Sequence, residues 1–516
     1  MTRPVPRRCD AVVVGTGPGG AAVARRLADG GWAVVAVEAG PGGPRPASVA
    51  GLDLVAASAE ASRLWSHLRV RDRPGGPLRP YTQGRGLGGG SMVNGMLLTP
   101  GDRVDYERWR SEHRCREWGA EAMAPWLERA AQDYPTLAPG AGPVAEALGR
   151  AAAEDGLPVG GTSLESDRLG VLAARLAARD GRRWSSADAG LGGDGPPPAG
   201  TDERNGIAVR AVAGGELTVV SGVPVDRIVT GADGRVRGVA LASGHPIDCP
   251  LVVICAGPLA TPGLLRRSGL AGRPVGRVLR DHPSFAFTLV LRPEAVAADP
   301  RFGSSVRAVT RLVRWSSGPD HPGDLQAIAL DRVDPGGPGS RPLAVVAVGL
   351  MAASSVGSVG PPRTGPRSGA VGATGPDVVT AILETAGDRA RLRDGVRRVA
   401  RWLRADPFGP LVEAVHLDEI GTELAVLDGL GDAELDRLLG SRPGPYVHPA
   451  GTCPLGPADE PGAVVDCEAG RFGALHGRSG VRLADASVLP NLVRGGLQLP
   501  VAAVAHRIAD DILSAP

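Results

Sequence analysis

"CDAVVVGTGPGGAAVARRLADGGWAVVAVEAG", Cys9 to Gly40, decides the fold. "AVVVG" is a short apolar run of the kind that forms a buried parallel strand. Gly15, Gly17 and Gly20 follow in G-x-G-x-x-G spacing. "AAVARRLADGG" repeats Ala, Val and Leu at helical spacing, and Gly30-Gly31 ends the helix. "WAVVAVE" reads as a second strand closing on an acid, Glu38. Gly15 permits a tight turn, Gly17 lets backbone approach a pyrophosphate, and Gly20 lets helix and strand pack. The helix N-terminus then faces the phosphates. Glu38 is placed to accept hydrogen bonds from an adenosine ribose. A bare glycine motif carries little weight in a chain with 76 glycines. The ordered set of strand, turn, helix, strand and acid separates a dinucleotide site from an ordinary turn. An acid at the ribose position disfavours NADP, leaving FAD and NAD.

The rest of the composition narrows the class. The 516 residues are 43% hydrophobic, enough for a large core and for two or more domains. Basic and acidic residues, 57 and 55, nearly cancel, so no broad field favours nucleic acid or an anionic membrane. Every basic residue is arginine, which a GC-rich coding bias explains without function. Cys9, Cys115, Cys249, Cys255, Cys453 and Cys467 contain no CxxC pair, so neither a metal site nor a small disulfide scaffold is expected. Reduced, buried thiols are the expectation. There is no apolar run of signal length at the start and no span of about eighteen apolar residues. A cytoplasmic protein without a membrane span is expected.

Four further segments select a family. "GRGLGGGSMVNGMLLTPGDRVDYERW", Gly84 to Trp109, joins a glycine run to apolar and aromatic residues and is not linker-like. "VVICAGPLATPGLLRRSGLA", Val252 to Ala271, reads as strand, glycine turn and helix, with Pro262 in the first turn. "VGRVLRDHP" follows at Val275 to Pro283. "GVRLADASVLPNLVRGGLQLPVAAVAHRIADDIL" gives a strand, a turn at Asp485, a Gly-rich stretch and a closing helix. With the N-terminal motif and "YVHPAGTC", Tyr446 to Cys453, these resemble the glucose–methanol–choline (GMC) family of FAD-dependent oxidoreductases, in order and spacing, from Asp10 to Leu513.

The resemblance implies an α/β fold: a Rossmann-like FAD-binding domain plus a substrate domain on an antiparallel sheet. Gly15, Gly17, Gly20 and Glu38 would hold the ADP half of FAD. Arg85, Gly88, Gly89, Ser91, Asn94 and Gly95 would line the pyrophosphate and isoalloxazine, Val225 would contact adenine through its backbone, and Asp485 and Ala486 would approach the phosphate and ribityl side. Family members with covalent flavin carry histidine just before the asparagine. Val93 stands there, which implies non-covalent FAD.

His448 matches the family histidine that takes the substrate hydroxyl proton while hydride leaves for flavin N5. A neutral imidazole suits that work. The family's partner, a second His or Asn eleven positions after the aspartate of the D-A-S turn, falls on Gly496. Gln498, on a strand-like turn that would align it with position 496, Arg494 as a cation, or a backbone N–H are the replacements considered. Alternatively, Gly496 makes room for a large substrate. "SVLPNLVRGG", Ser487 to Gly496, is similar to GMC enzymes associated with the mycofactocin redox cofactor, which implies electron exchange with a redox peptide. His282 is expected to order a turn, and His506 to be packing or surface.

The implied activity is oxidation of a small-molecule alcohol or redox-peptide substrate, with electrons passing to oxygen or a carrier. The rival is a flavin-binding electron-relay or assembly protein. No metal or nucleic acid is expected. Residues 1–135, 205–290 and 440–516 are expected to form a discontinuous FAD domain, with 136–204 and 291–439 forming the substrate domain. "LTVVSGVPVDRIVTGADGRVRGVALASG" reads as a three-stranded meander with a turn at Asp233-Gly234. Leu392, Val396, Val399 and Leu403 mark a helix with a solvated arginine face. The Gly/Pro-rich stretch near 190–206 and the low-complexity stretch 354–376 read as loops.

Overall fold

The computed structural model describes residues 4–193, 208–211, 216–304, 306–333, 340–362, 375–418, 420–442 and 444–514. Most of both loop stretches, residues 194–206 and 363–374, lies outside these.

The apolar run at Ala11–Val14 forms a fully buried strand, and Val34–Glu38 pairs beside it in parallel. Between them helix Pro18–Asp29 begins with proline in its first turn, where the missing N–H costs nothing, and stops at Gly30. The sheet runs Ala208–Ala211, Leu217–Ser221, Val34–Glu38, Ala11–Val14, Leu251–Ile254 and Val481–Leu483. All neighbours are parallel except the first pair. Helices Pro18–Asp29 and Gln498–Ser514 pack against each other, and with the sheet they bury one large apolar cluster.

The expected meander forms with a change of membership. Leu217–Ser221 joins the parallel sheet, and the meander is Val225–Thr230, Val236–Leu241 and Pro246–Asp248. Gly234 takes φ 74° at the expected turn.

A second sheet of eight strands carries a separate core. Its main path is Val412–His416, Pro283–Leu291, Leu343–Leu350, Leu325–Leu330, Arg311–Trp315, Gly170–Ala173 and Val159–Thr162, antiparallel but for the last pair. Helix Ala386–Leu403 covers it with Leu392, Val396, Val399 and Leu403 inward. Its outward arginines are paired: Arg393 and Arg397 with Asp432, Arg398 with Asp155. No helix among the described residues is long and apolar enough to cross a membrane.

Candidate active site

The glycine turn is built by close approach. Gly15 takes φ 96°, and a Cβ there would meet the Cys255 carbonyl at 2.3 Å. A Cβ on Gly20 would sit 2.0 Å from the Gly15 carbonyl, so helix and turn touch backbone to backbone. Gly17 faces open space. Glu38 latches the turn: Oε2 accepts from Thr16 N (3.1 Å) and Oγ1 (2.7 Å), and Oε1 accepts from Gly40 N (2.8 Å). Burial raises its pKa. Val225 opens the meander two residues after Val223, whose N–H donates to the Glu38 carbonyl.

The Gly84–Asn94 segment lies over this turn. A Cβ on Gly89 would be 2.9 Å from Gly17 Cα, while Gly90 faces open space. Gly88, at φ 97°, caps the short 3₁₀ turn Gly89–Met92. Ser91 Oγ donates to Gly88 O (2.6 Å) and accepts from Ser186 N (2.8 Å). Arg85 donates to Ala39 O and stacks on Trp65, its Nε buried without a partner. Gly95 meets Leu54 at ordinary contact distance. Val93 is buried with Val49 and Met92.

Asn94 links three parts of the chain. Its Oδ1 accepts from Met96 N and from Arg183 Nη1, both at 3.0 Å, and its Nδ2 donates to Gln498 Oε1 at 2.7 Å. Arg183 was not legible as a site residue. It is 1% exposed, its pKa is lowered to about 9 by burial, and its Nη2 has no hydrogen-bond partner.

Asp485 is fixed by protein donors: Oδ2 accepts from Gly257 N (2.8 Å) and Thr261 Oγ1 (2.9 Å), Oδ1 from Ser487 N (2.7 Å). Its turn abuts the first helix, since a Cβ on Gly19 would strike the Ala484 carbonyl at 1.9 Å. The Ala486 carbonyl accepts from Gly451 N, tying the turn to the loop that carries His448.

That loop is strained. Val447, a β-branched residue, takes φ 63°, an uncommon conformation that concentrates at functional sites. The Asp281 carboxylate holds it: Oδ1 accepts from His448 N and His282 N, both at 2.8 Å, and Oδ2 from the Tyr81 hydroxyl at 2.5 Å. Burial raises Asp281 to about 6. His448 is half-buried, and the protein around it pushes its pKa down to about 4, so the ring is neutral at physiological pH.

His448 is not alone. His282 Nδ1 lies 3.0 Å from His448 Nδ1, ring to ring at 85°. His282 is fully buried, with backbone of Met351 and Val493 beside its ring, and burial holds its pKa well down. Instead of only ordering a turn, it sits behind His448. The "RDHP" pattern was the available signal.

Of the expected replacements for the missing partner, Arg494 is engaged elsewhere, while Gln498 keeps an amide N–H unpartnered among the described residues but stands on a helix instead of a turn. Arg494 is no free cation: it is 4% exposed and ion-paired with Asp105, its Nε donating to Pro322 O. Residue 498 begins helix Gln498–Ser514 instead of a strand-like turn, so it is not aligned with position 496. Its amide oxygen is taken by Asn94, with the Tyr134 hydroxyl beside the amide. The Gly496 N–H donates to Thr99 Oγ1 at 2.7 Å. A Cβ on Gly496 would lie 3.4 Å from Leu97 O and Thr99 Oγ1, so a side chain has room to start. His506, expected as packing, is buried with Nε2 2.7 Å from Asp133 Oδ2.

Bare backbone at Gly17 and Gly90 and unpartnered buried donors on Arg85, Arg183 and Gln498 suit an anionic, acceptor-rich group. FAD, with its pyrophosphate and isoalloxazine carbonyls, fits that set.

Comparison with known proteins agrees. GMC oxidoreductase family models match residues 13–194 and 200–284, and residues 368–505. The oxygen-dependent choline dehydrogenase of Paraburkholderia xenovorans is 26% identical over 83% of this chain and 80% of its own length. The 5-(hydroxymethyl)furfural oxidase of Methylovorus sp. is 27% identical over 87% of each. The crystal structure of pyridoxine 4-oxidase from Mesorbium loti superposes with a TM-score of 0.78 at 26% identity, over 97% of this chain and 98% of that one.

Proposed function

The chain belongs to the GMC oxidoreductase family, and from that premise we propose that it oxidises a primary or secondary alcohol with His448 as the base. The observation that carries this reading is a neutral, half-buried imidazole on a strained loop, held from behind by a second imidazole. Bound FAD supplies the hydride acceptor.

Two Nδ1 atoms at 3.0 Å share one proton. Backbone of Met351 and Val493 lies beside the His282 ring, whose Nε2 has no hydrogen-bond partner among the described residues, and we place the shared proton on His448 Nδ1. His282 Nδ1 then accepts from His448 Nδ1–H, which leaves the lone pair of His448 Nε2 for the substrate hydroxyl. Asp281 fixes both residues through their backbone N–H groups. Gly15, Gly17, Gly20 and Glu38 would hold the ADP half, with Val225 beside the adenine; Arg85, Gly88, Gly89, Ser91, Asn94 and Gly95 would hold the flavin end, and Asp485 and Ala486 the link between. Gln498, set by Asn94, is a positioning residue for that end. Residues 1–135, 205–290 and 440–516 would serve FAD, and 136–204 with 291–439 the substrate. The relatives' names point to small alcohols. The open place at Gly496 also admits a bulkier donor or redox-peptide partner, with electrons passing to oxygen or to a carrier such as mycofactocin.

Two results test parts of this reading. His282→Phe keeps an aromatic ring but no Nδ1 acceptor. It should slow anaerobic flavin reduction roughly a hundred- to a thousandfold, the cost of losing one oriented hydrogen bond. A parental rate would remove His282 from the mechanism. Acid precipitation should release yellow flavin into the supernatant, because Val93 cannot form the covalent bond. Flavin retained in the pellet would contradict non-covalent binding.

A further inference from the structure

The parallel register between Ala11–Val14 and Leu251–Ile254 sets Ala11 against Leu251 and Val14 against Ile254. The same offset recurs at the parallel bridge between Arg8 and Asp248. Carried between those points, it places Cys9 opposite Cys249. Backbone bonds hold the approach: Cys9 N donates to Asp248 O (3.1 Å) and Asp248 N to Arg7 O (2.8 Å). Neighbouring strands lie about 4.8 Å apart, inside the roughly 4.4–6.8 Å between Cα atoms that a disulfide spans. In-register residues on parallel strands also share a face. Both thiols are free, 6% and 4% exposed, and Cys9 Sγ donates to the Ala11 carbonyl at 3.3 Å.

We propose that Cys9 and Cys249 form a redox-active dithiol which a hydroperoxide converts into a disulfide. Roles follow from the asymmetry of the pair. Proximity to Cys9 holds Cys249 below the usual thiol range, with backbone hydrogen bonds at Val12 and Leu251 adding to the effect, whereas the Cys9 proton is committed to the Ala11 carbonyl at 3.3 Å. The same contact, with burial, pushes Cys9 up. Cys249 Sγ, as thiolate, attacks a peroxide oxygen. The O–O bond breaks, leaving a sulfenic acid on Cys249 and one water or alcohol. Cys9 Sγ then attacks that sulfur, the S–S bond forms, the S–O bond breaks, and hydroxide leaves as water with the Cys9 proton. The pair loses two hydrogens and the peroxide is reduced.

The bond would clamp two strands whose far ends form the glycine turn and the Cys255 carbonyl packed against it. Cys115 and Cys467 also touch, but they are 0% and 3% exposed, and Trp118 Nε1 is bonded to the Cys467 carbonyl above them. The first pair lies beside the short segment bonded through Arg7 and Cys9 to Asp248, so brief opening there would admit peroxide.

The test treats the reduced, FAD-loaded protein with hydrogen peroxide, quenches it, and counts thiols after denaturation. Four of the six cysteines should titrate, dithiothreitol should restore six, and mapping should find Cys9 and Cys249 peptides joined with the loss of two hydrogens. The thermal midpoint should rise by several degrees, an effect absent in Cys9→Ser. That variant should instead accumulate a sulfenic acid on Cys249, trapped by dimedone. Six remaining thiols, a bond confined to Cys115–Cys467, single thiols driven to sulfinic acid, or a dimedone adduct on Cys9 in Cys249→Ser would each overturn the proposal.

Discussion

His448→Ala should retain FAD and slow its anaerobic reduction by the alcohol roughly 10²- to 10⁴-fold, the range for loss of a positioned general base. FAD should stay because the glycine turn, Glu38 and the Gly84–Asn94 segment are independent of that ring. The pH profile gives a second check. Burial lowers His448 to about 4, so the base is already free across the neutral range. Acid protonates it, so the parental rate should be flat near neutrality and fall only as pH approaches 4. An acid limb at the ordinary imidazole value, or an unchanged rate in the alanine variant, would return His448 to a packing role.

Arg494→Ala should lower stability by about 3–5 kcal/mol, the cost of stripping the partner from a buried ion pair. Asp105 is 1% exposed and, among the described residues, loses its one guanidinium at bonding distance, while Asp102 keeps Arg314 at 2.6 Å. Burial already raises Asp105 to about 6 despite Arg494. A carboxyl raised in the folded state is penalised where it must ionise and relieved where it takes a proton. Losing Arg494 raises Asp105 further still, so the variant's deficit, read from urea midpoints, should be largest well above pH 6, shrink as pH falls towards about 6, and level off below it. A deficit that is absent, or that grows on acidification, would contradict this account. Because Arg494 directly precedes Gly495 and Gly496, the variant should also loosen the contact between Gly496 N and Thr99.

What was legible in the chain follows the range of the forces involved. Gly15, Gly17 and Gly20 could be read because backbone contact within one turn dictates them locally. The helix at Leu392–Leu403 could be read because burial imposes its period. His282 could not be read as the partner of His448: 166 positions separate them, and the pairing of Pro283–Leu291 with Gly444–Pro445, the Arg280–Ala450 bridge and the Asp281 carboxylate bring them together. Arg494 looked available because nothing local reveals Asp105 across the interior. Pro500 marks the first turn of the helix that begins at Gln498, where a proline lacking its N–H is tolerated, and a strand-like turn at Gln498 overlooks that local signal. Gly496 was correctly seen to lack a side chain; that its N–H is already bonded to Thr99 depended on a contact 397 residues distant.

The central claim is that this flavoprotein takes a proton and a hydride from an alcohol. Its most direct test is to mix the purified yellow protein anaerobically with a panel of primary and secondary alcohols and follow the flavin absorbance. The account predicts that at least one alcohol bleaches the flavin, at a rate that collapses in His448→Ala. Flavin that dithionite reduces but no alcohol does would contradict it, and would favour an electron-relay or assembly protein instead.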